Sequence, residues 1–231
     1  MESSRRLQRP ASHVIFDMDG VLLDTERFYT QATQITVGRY GKTFDWSLKS
    51  NMVGRPALQA ARYLVEALDL PITPEDYVGE REALLVQLVP ESQPMPGARE
   101  LTAALAELGV SQSVATSSSG RLYDLKTQRH RDWFRVFSVV IVGDDHRVGR
   151  GKPAPDIFLV AAQEVRVDPR ECVVIEDSPA GIAAALAAGM QAVAVPDPAM
   201  DRTRFADADL IVDSLAELSP SDLGFGERTI W

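Results

Sequence analysis

The chain has 231 residues, of which 45 % are hydrophobic and 25 % are charged, and its formal net charge at pH 7 is −9. This composition is typical of a packed globular protein, and the length suits one large domain or a core with a small insert. The acidic balance argues against a nucleic-acid partner, which would need a basic surface. No run of about 18 apolar residues, the minimum for a transmembrane helix, occurs in the sequence, so no membrane partner is expected.

The N-terminal segment and the cysteine content bear on where the protein works. Residues 1–12 are polar and lack the apolar core of a secretory signal. The single cysteine, Cys172, excludes an internal disulfide and a multi-cysteine zinc site. Its apolar neighbours favour a buried core position. We expect a cytoplasmic protein that is a monomer or a weak dimer.

Short apolar runs alternate with helical patterns along most of the chain. The runs have the continuous apolar character of strands that are buried on both faces of a sheet. They cover residues 13–16, 113–115, 139–142, 172–175 and 192–195, and helical patterns cover 98–108, 156–164 and 180–188. This alternation predicts an α/β fold whose core is a doubly wound (Rossmann-like) parallel sheet.

Polar residues begin where each of these strand runs ends. Asp17 follows the first run, Thr116 follows the second, and Glu176 and Asp177 follow the fourth. Ligands of open α/β sheets bind beyond the carboxyl ends of the strands. The pattern therefore predicts a polar site at one edge of the sheet.

The strand pattern disappears between residues 27 and 94. Helical patterns replace it at 28–40, 57–68 and 74–88, and the apolar residues of the second stretch follow helical spacing. Pro90, Pro94 and Pro96 mark the return to the core. The sequence predicts an all-helical cap domain at residues 27–94, inserted into a core domain of residues 1–26 and 95–231.

The first chemical motif is an aspartate pair directly after the first strand. Asp17 can attack phosphorus and form an aspartyl phosphate. Asp19 can protonate the leaving oxygen and then activate water, and Gly20 permits the sharp exit from the strand. A calcium loop is excluded because the glycine comes fourth in the motif rather than sixth.

The second motif is a row of hydroxyls at residues 116–119, after the second strand. Hydroxyls and main-chain amides at a strand-to-helix turn can bind phosphate oxygens. Thr116 and Ser117 are the candidate phosphate ligands. An ordinary serine-rich turn is the alternative interpretation of the same residues.

The third motif centres on Lys152, which can neutralise charge that develops on a phosphoryl group. Pro153 is expected to hold Lys152 extended, and Asp156 to cap the next helix. A Walker loop is excluded, because its first glycine would fall at His146 and Lys152 is followed by proline.

The fourth motif places two carboxylates, Glu176 and Asp177, before a helix start. Ser178 as the N-cap and Pro179 as the first helical residue are explained by helix capping, but the carboxylates are not. Together with Asp17 they offer the oxygen ligands that Mg²⁺ prefers. Without a cation, these charges would repel one another at short range.

Taken in order, the segments DMDGVLLDT, VATSSS, GKPAPD and EDSPAGI resemble the four motifs of the haloacid dehalogenase superfamily of phosphotransferases. The resemblance implies a nucleophile at Asp17, an acid/base at Asp19, and phosphate-binding roles for Thr116 and Lys152. It implies Mg²⁺ ligation by Asp17, the main-chain carbonyl of Asp19, Glu176 and Asp177. The segments MVGRPALQAARYL and KTQRHRDWF make the chain most similar to pseudouridine-5′-phosphatase-type members of the superfamily.

Basic residues outside these motifs are open to two interpretations. Lys126, Arg129, His130 and Arg131 can form a positive rim for an anionic substrate or, more commonly, the solvated face of a helix. Arg55 in the predicted cap is a candidate to reach the substrate on closure, or else an exposed helix-start residue.

These observations favour a Mg²⁺-dependent phosphatase that hydrolyses a small phosphorylated metabolite, possible substrates being pseudouridine 5′-phosphate and related nucleotide or sugar phosphates. A sugar phosphomutase of the β-phosphoglucomutase type is the alternative enzyme, because the same core can return the phosphoryl group to a sugar. A non-catalytic module that binds a phosphorylated ligand is the alternative outside enzymes.

Overall fold

The computed structural model describes residues 7, 9–52 and 57–226. Its strands are His13–Phe16 (β1), Ser111–Ala115 (β2), Val139–Ile141 (β3), Cys172–Glu176 (β4), Gln191–Ala194 (β5) and Leu210–Ile211 (β6). They form one sheet in the order β3-β2-β1-β4-β5-β6, and every neighbouring pair is parallel. The predicted parallel α/β core is confirmed.

The helices of the described residues fall into two groups. Those between β1 and β2 are Glu26–Gly38 (α1), Trp46–Met52 (α2), Ala57–Leu68 (α3) and Pro74–Leu88 (α4). The others are Ala98–Glu107 (α5), Gly120–Thr127 (α6), Arg131–Phe134 (α7), Asp156–Val165 (α8) and Pro179–Ala187 (α9). None of the helices in this part of the chain has the length and apolar character needed to cross a bilayer.

Helices cover both faces of the sheet, as a doubly wound fold requires. Successive side chains of β1 point to opposite faces. Val14 and Phe16 belong to a cluster that includes Leu101 of α5. Ile15 belongs to a second cluster that includes Phe158 of α8 and Ile182 of α9. All four residues of β1 are fully buried, which explains why the run is apolar without alternation.

The helical segment between β1 and β2 has small apolar clusters of its own. One cluster contains Val37, Leu64 and Tyr77 from α1, α3 and α4. The chain segments that enter and leave this helical segment run side by side. Met95 N on the returning segment donates to Leu22 O on the entering one at 2.9 Å. The structure thus places helices α1 to α4 where the sequence predicts an inserted cap.

Three details differ from the sequence-based expectations. Strand β6 and helix α2 were not predicted, because β6 has two residues and α2 buries none of its side chains. Asp156 does not cap α8 from outside but is its first residue, and Pro155 holds the N-cap position. The Asp156 carboxylate instead accepts from Arg150 N at 3.0 Å, which ties down the preceding loop.

Candidate active site

The candidate site lies where the strand order reverses. Strand β1 pairs with β2 on one side and with β4 on the other, so the connections leave it in opposite directions. Crevices at such a switch point are where open α/β sheets bind ligands. Asp17 directly follows β1, Thr116 follows β2 and Glu176 ends β4. Parallel pairing therefore brings the predicted residues to one edge.

Lys152 links the carboxylates at this edge. Its Nζ donates to Asp17 Oδ1 at 2.5 Å, to Glu176 Oε1 at 2.6 Å and to Ala115 O at 3.2 Å. Burial by itself lowers the pKa of Lys152, but Asp17 and Glu176 raise it above its usual value overall. The lysine is therefore a cation that is held in place by its partners. The peptide bond between Lys152 and Pro153 is cis.

Asp17 keeps one carboxylate oxygen clear of Lys152. The side chain is almost fully buried. Burial raises the pKa of Asp17 to about 7; Lys152 opposes this rise, and the charges of Glu176 and Asp19 add to it. A cation bound at this edge would favour the ionised form and counter this rise.

Glu176 is engaged on both oxygens. Oε1 accepts from Lys152, and Oε2 accepts from Ser178 N at 2.8 Å and from Ser178 Oγ at 2.9 Å. A Cβ at Gly181 would lie 1.9 Å from the Glu176 carboxyl carbon, so only glycine leaves room there. Glu176 stays a predicted Mg²⁺ ligand, and direct binding would require it to exchange one of these contacts.

Asp177 differs from the other carboxylates of the site. Among the described residues, no hydrogen bond or ion pair is made to its side chain. Burial raises the pKa of Asp177 well above its usual value, and Glu176 and Asp17 add to the rise. It packs against Gly20, where a Cβ would lie 2.2 Å from Asp177 Oδ2 and where φ is +80°. Asp177 is half-buried, and a carboxylate there without a protein partner is available to bind a cation.

Asp19 is surrounded by donors. Oδ1 accepts from Thr25 Oγ1 and from Lys126 Nζ, each at 2.5 Å. Oδ2 accepts from Ser118 Oγ at 2.7 Å and from Thr116 Oγ1 at 3.3 Å. Burial alone would raise the pKa of Asp19, but Lys126, Thr25 and Ser118 together hold it below the usual value.

The remaining predicted site residues differ in burial and in their distance from the carboxylates. Thr116 is buried beside Asp19, and Ser117 is exposed at the start of the turn. The Ser117 carbonyl lies against Gly143, where a Cβ would be 2.3 Å away. Arg55 lies outside the described residues, so its expected contact with substrate stays a prediction.

The proposed basic rim is wrong for two of its four members. Lys126 is fully buried and points at Asp19, and His130 is buried with Nε2 2.8 Å from Ser92 O. Arg129 and Arg131 are exposed. The reason is that α6 packs its C-terminal end into the cleft, so residues adjacent in sequence face different surroundings.

Three side chains of the site were not singled out from the sequence, namely Thr25, Tyr29 and Ser118, and Lys126 was singled out only as a member of the basic rim. Thr25 and Ser118 lie inside the recognised motifs and could have been found by their spacing from Asp17 and Thr116. Tyr29 and Lys126 lie on helices α1 and α6, and no sequence signal distinguishes them from surface residues.

The donor set at this edge fits a hard divalent cation. Four carboxylates face two lysines, which leaves a formal charge of −2 at Asp17, Asp19, Glu176, Asp177, Lys126 and Lys152. Within the described ranges, no three His, Cys, Asp or Glu side chains form a ready-made cage. Mg²⁺ suits such a site, because it binds one or two carboxylates and completes its shell with phosphate oxygens and water.

Comparisons with known proteins agree with this geometry. A family model described as haloacid dehalogenase-like hydrolase matches residues 11–189. (DL)-glycerol-3-phosphatase 2 of Arabidopsis thaliana is 47 % identical over 92 % of this chain and 91 % of its own length. A Drosophila melanogaster protein named "Probable pseudouridine-5′-phosphatase" is 42 % identical over 96 % of this chain and 97 % of its own.

Solved structures give the same result. A HAD family hydrolase from Deinococcus radiodurans, crystallised with phosphate and sodium, superposes with a TM-score of 0.76 and 28 % identity. The match covers 92 % of this chain and 95 % of that one. The sequence-based resemblance and the predicted fold are both confirmed.

Proposed function

Because the chain belongs to the haloacid dehalogenase-like hydrolases and is a phosphatase of small phosphate esters like its relatives, we propose that it works through an aspartyl phosphate on Asp17 with Mg²⁺ bound. One observation carries the proposal. Asp17 and Asp19 lie together at the switch point but in different surroundings. Asp17 has one oxygen on Lys152 and the other clear of it. Asp19 accepts from Lys126 and from three hydroxyl groups.

In the first step, the free oxygen of Asp17 attacks phosphorus. A bond forms between this oxygen and phosphorus, and the bond from phosphorus to the ester oxygen breaks. Lys152, held at 2.5 Å from the other oxygen of Asp17, offsets negative charge on the phosphoryl oxygens. Asp19 is ionised in the free site, so it first takes up a proton from the substrate monoanion or from water, and it then gives this proton to the departing oxygen.

In the second step, the same residues release phosphate. Asp19, now ionised, takes a proton from water, and the water oxygen attacks phosphorus. The bond between Asp17 and phosphorus breaks, so Asp17 returns as a carboxylate. The donors around Asp19 favour its ionised form, which suits the role of a base.

Mg²⁺ would be held by Asp17, Asp177 and the main-chain carbonyl of Asp19, with Glu176 as a further candidate. When bound, it supplies positive charge that offsets both the carboxylates and the incoming phosphate. Asp177 has no partner among the described residues, which supports this assignment.

A cleft between the helical segment and the core lies next to the site, although Asp17, Asp19 and Lys152 do not line it, and we assign it to the leaving group. The cleft of about 760 Å³ is lined by Trp46 and Asn51 of α2, by Pro153 and Pro179 beside the site, and by Arg204. An aromatic face together with polar groups suits alcohols from glycerol to a nucleoside. We therefore propose polyol or nucleoside 5′-monophosphates as substrates, and Arg55 as a further contact.

The test is phosphate release from a panel that contains glycerol 3-phosphate, pseudouridine 5′-phosphate, other nucleotides and hexose phosphates, with Mg²⁺ and with EDTA. We expect release that EDTA abolishes and fresh Mg²⁺ restores. Equal release in EDTA would contradict the metal requirement. An isomerised sugar phosphate in place of free phosphate would contradict hydrolysis and indicate a phosphomutase.

A further inference from the structure

Lys126 uses every hydrogen-bond donor that it has. An ammonium group carries three N–H donors. Its Nζ donates to Asp19 Oδ1 at 2.5 Å, to Ser118 Oγ at 2.6 Å and to Tyr29 Oη at 3.0 Å. The side chain is fully buried. A lysine so placed costs free energy to bury unless its partners compensate, which indicates a defined role.

We propose that Lys126 is a positioning residue that orients Asp19, and that it couples this orientation to the helical segment α1–α4. The inference rests on the proposed function, because it assumes that Asp19 is the acid and base of the reaction.

Lys126 fixes both oxygens of the carboxylate. It bonds Oδ1 directly, and it bonds Ser118, whose hydroxyl donates to Oδ2 at 2.7 Å. Thr25 and Thr116 each add a hydroxyl contact to one of the oxygens, and Lys126 is the charged donor that ties the two oxygens into one network. Proton transfer needs the carboxylate to face the leaving oxygen, and an error of about 1 Å can cost about 100-fold in rate.

The third donor crosses to the helical segment. Tyr29 lies on α1, whereas Lys126 and Ser118 belong to the core. Helix α6 packs Leu122 and Leu125 against an apolar cluster of that segment. Any movement of α1 relative to the core therefore strains or breaks the bond between Tyr29 and Lys126, and Asp19 responds through the same ammonium group.

A direct role in phosphate binding does not fit this geometry. All three donors of Lys126 are engaged by protein acceptors, and Lys152 already supplies the cation beside Asp17. We expect loss of Lys126 to slow turnover and to leave substrate affinity nearly unchanged.

The first experiment compares Lys126→Met with Arg121→Met, an exposed position on the same helix. Methionine keeps the length of lysine without its donors. We expect kcat of Lys126→Met to fall about 100-fold and KM to change less than about threefold. Arg121→Met should stay within about twofold of wild type. A higher KM at unchanged kcat would make Lys126 a phosphate ligand and overturn the inference.

The second experiment is a double-mutant cycle with Asp19→Asn, followed by steady-state turnover of p-nitrophenyl phosphate. If Lys126 acts through Asp19, Lys126→Met should lower the residual rate of Asp19→Asn by less than about twofold. Fully additive losses would show an independent role and contradict the proposal.

Tyr29→Phe tests the coupling and remains informative if Lys126→Met fails to fold. It removes one hydroxyl, so we expect a fall of about fivefold in kcat with an unchanged thermal midpoint of unfolding. Unchanged kcat would refute the coupling to the helical segment. A wild-type protein that releases no phosphate would refute the proposed function, whereas an active wild type with an equally active Lys126→Met refutes only this inference.

Discussion

Asp17 and Asp19 are two residues apart at one strand end, yet their surroundings differ in kind. Asp17 shares Lys152 with Glu176 and lies near other carboxylates, so burial and repulsion raise its pKa to about 7. Asp19 has Lys126 without a competing carboxylate and accepts three further hydroxyl bonds, so its pKa is held low.

One short motif can therefore hold two carboxylates with different chemistry. The carboxylate-rich side has excess negative charge, which favours a cation and then a phosphoryl group. The hydroxyl-rich side is balanced without any ligand and favours proton transfer at a fixed orientation. Composition of the surroundings, rather than the aspartates themselves, separates the roles.

Substitution of the two aspartates should have the greatest effect and should distinguish the nucleophile, Asp17, from the acid/base, Asp19. Asp17→Asn should lose about 10⁴-fold or more in kcat and release no p-nitrophenolate in the first turnover. Asp19→Asn should still release about one equivalent quickly, because nitrophenolate leaves without a proton, and then stall before water attack. Rapid-quench measurement decides this, with the exposed Asp124→Asn as control. A first-turnover burst from Asp17→Asn would refute the assignment.

Loss of Lys152 should rank second. Lys152→Met removes the cation between Asp17 and Glu176, so charge on the phosphoryl group is no longer offset. We expect about 100- to 1,000-fold lower kcat, together with weaker inhibition by inorganic phosphate. The second readout separates the two lysines, since Lys126→Met should leave phosphate inhibition unchanged. Equal phosphate inhibition in both variants would contradict the assignment of phosphate binding to Lys152 and not to Lys126.

The pH dependence of stability should also differ between the two sides. An acid whose pKa rises on folding binds more protons in the folded state between its two pKa values, so stability falls as pH rises there. For Asp17 this window runs from 3.8 to about 7. In EDTA, the free energy of unfolding of Asp17→Asn should therefore exceed that of wild type by roughly 3 kcal/mol at pH 7 and match it near pH 4.

Urea unfolding at both pH values measures this difference, and saturating Mg²⁺ should shrink it by stabilising wild type. For Asp19 the sign is opposite, because a lowered pKa contributes stability that is lost only as pH falls below 3.8. A gap between Asp17→Asn and wild type that widened toward pH 4 would contradict the assignment for Asp17.

The smallest expected effect concerns a single hydroxyl. Thr25→Val keeps the shape of a fully buried side chain and removes one of the donors to Asp19 Oδ1. We expect about a fivefold fall in kcat with KM unchanged. Thr33→Val is the matched control, because Thr33 bonds Tyr77 inside the helical segment at 3.0 Å. An effect of equal size in both variants would indicate general loosening.

The sheet and the site residues at its strand ends could be predicted from the amino-acid sequence. The mainly apolar runs at 13–16 and 172–175 predict strands because a strand buried on both faces has no solvent-facing side that would alternate polar residues with apolar ones. Parallel neighbours end at the same edge, so Asp17, Thr116 and Glu176 had to meet. These predictions depend on local chain geometry, which holds wherever the strands pair.

The surroundings of Asp19 depend instead on how the helices pack. Lys126 and Arg129 belong to one short basic stretch, yet one is fully buried and the other is exposed. Their fates depend on how α6 docks between the core and α1, which no local pattern encodes. A buried lysine is stable there only because Asp19, Ser118 and Tyr29 arrive from three other parts of the chain, and that convergence is a property of the packed molecule.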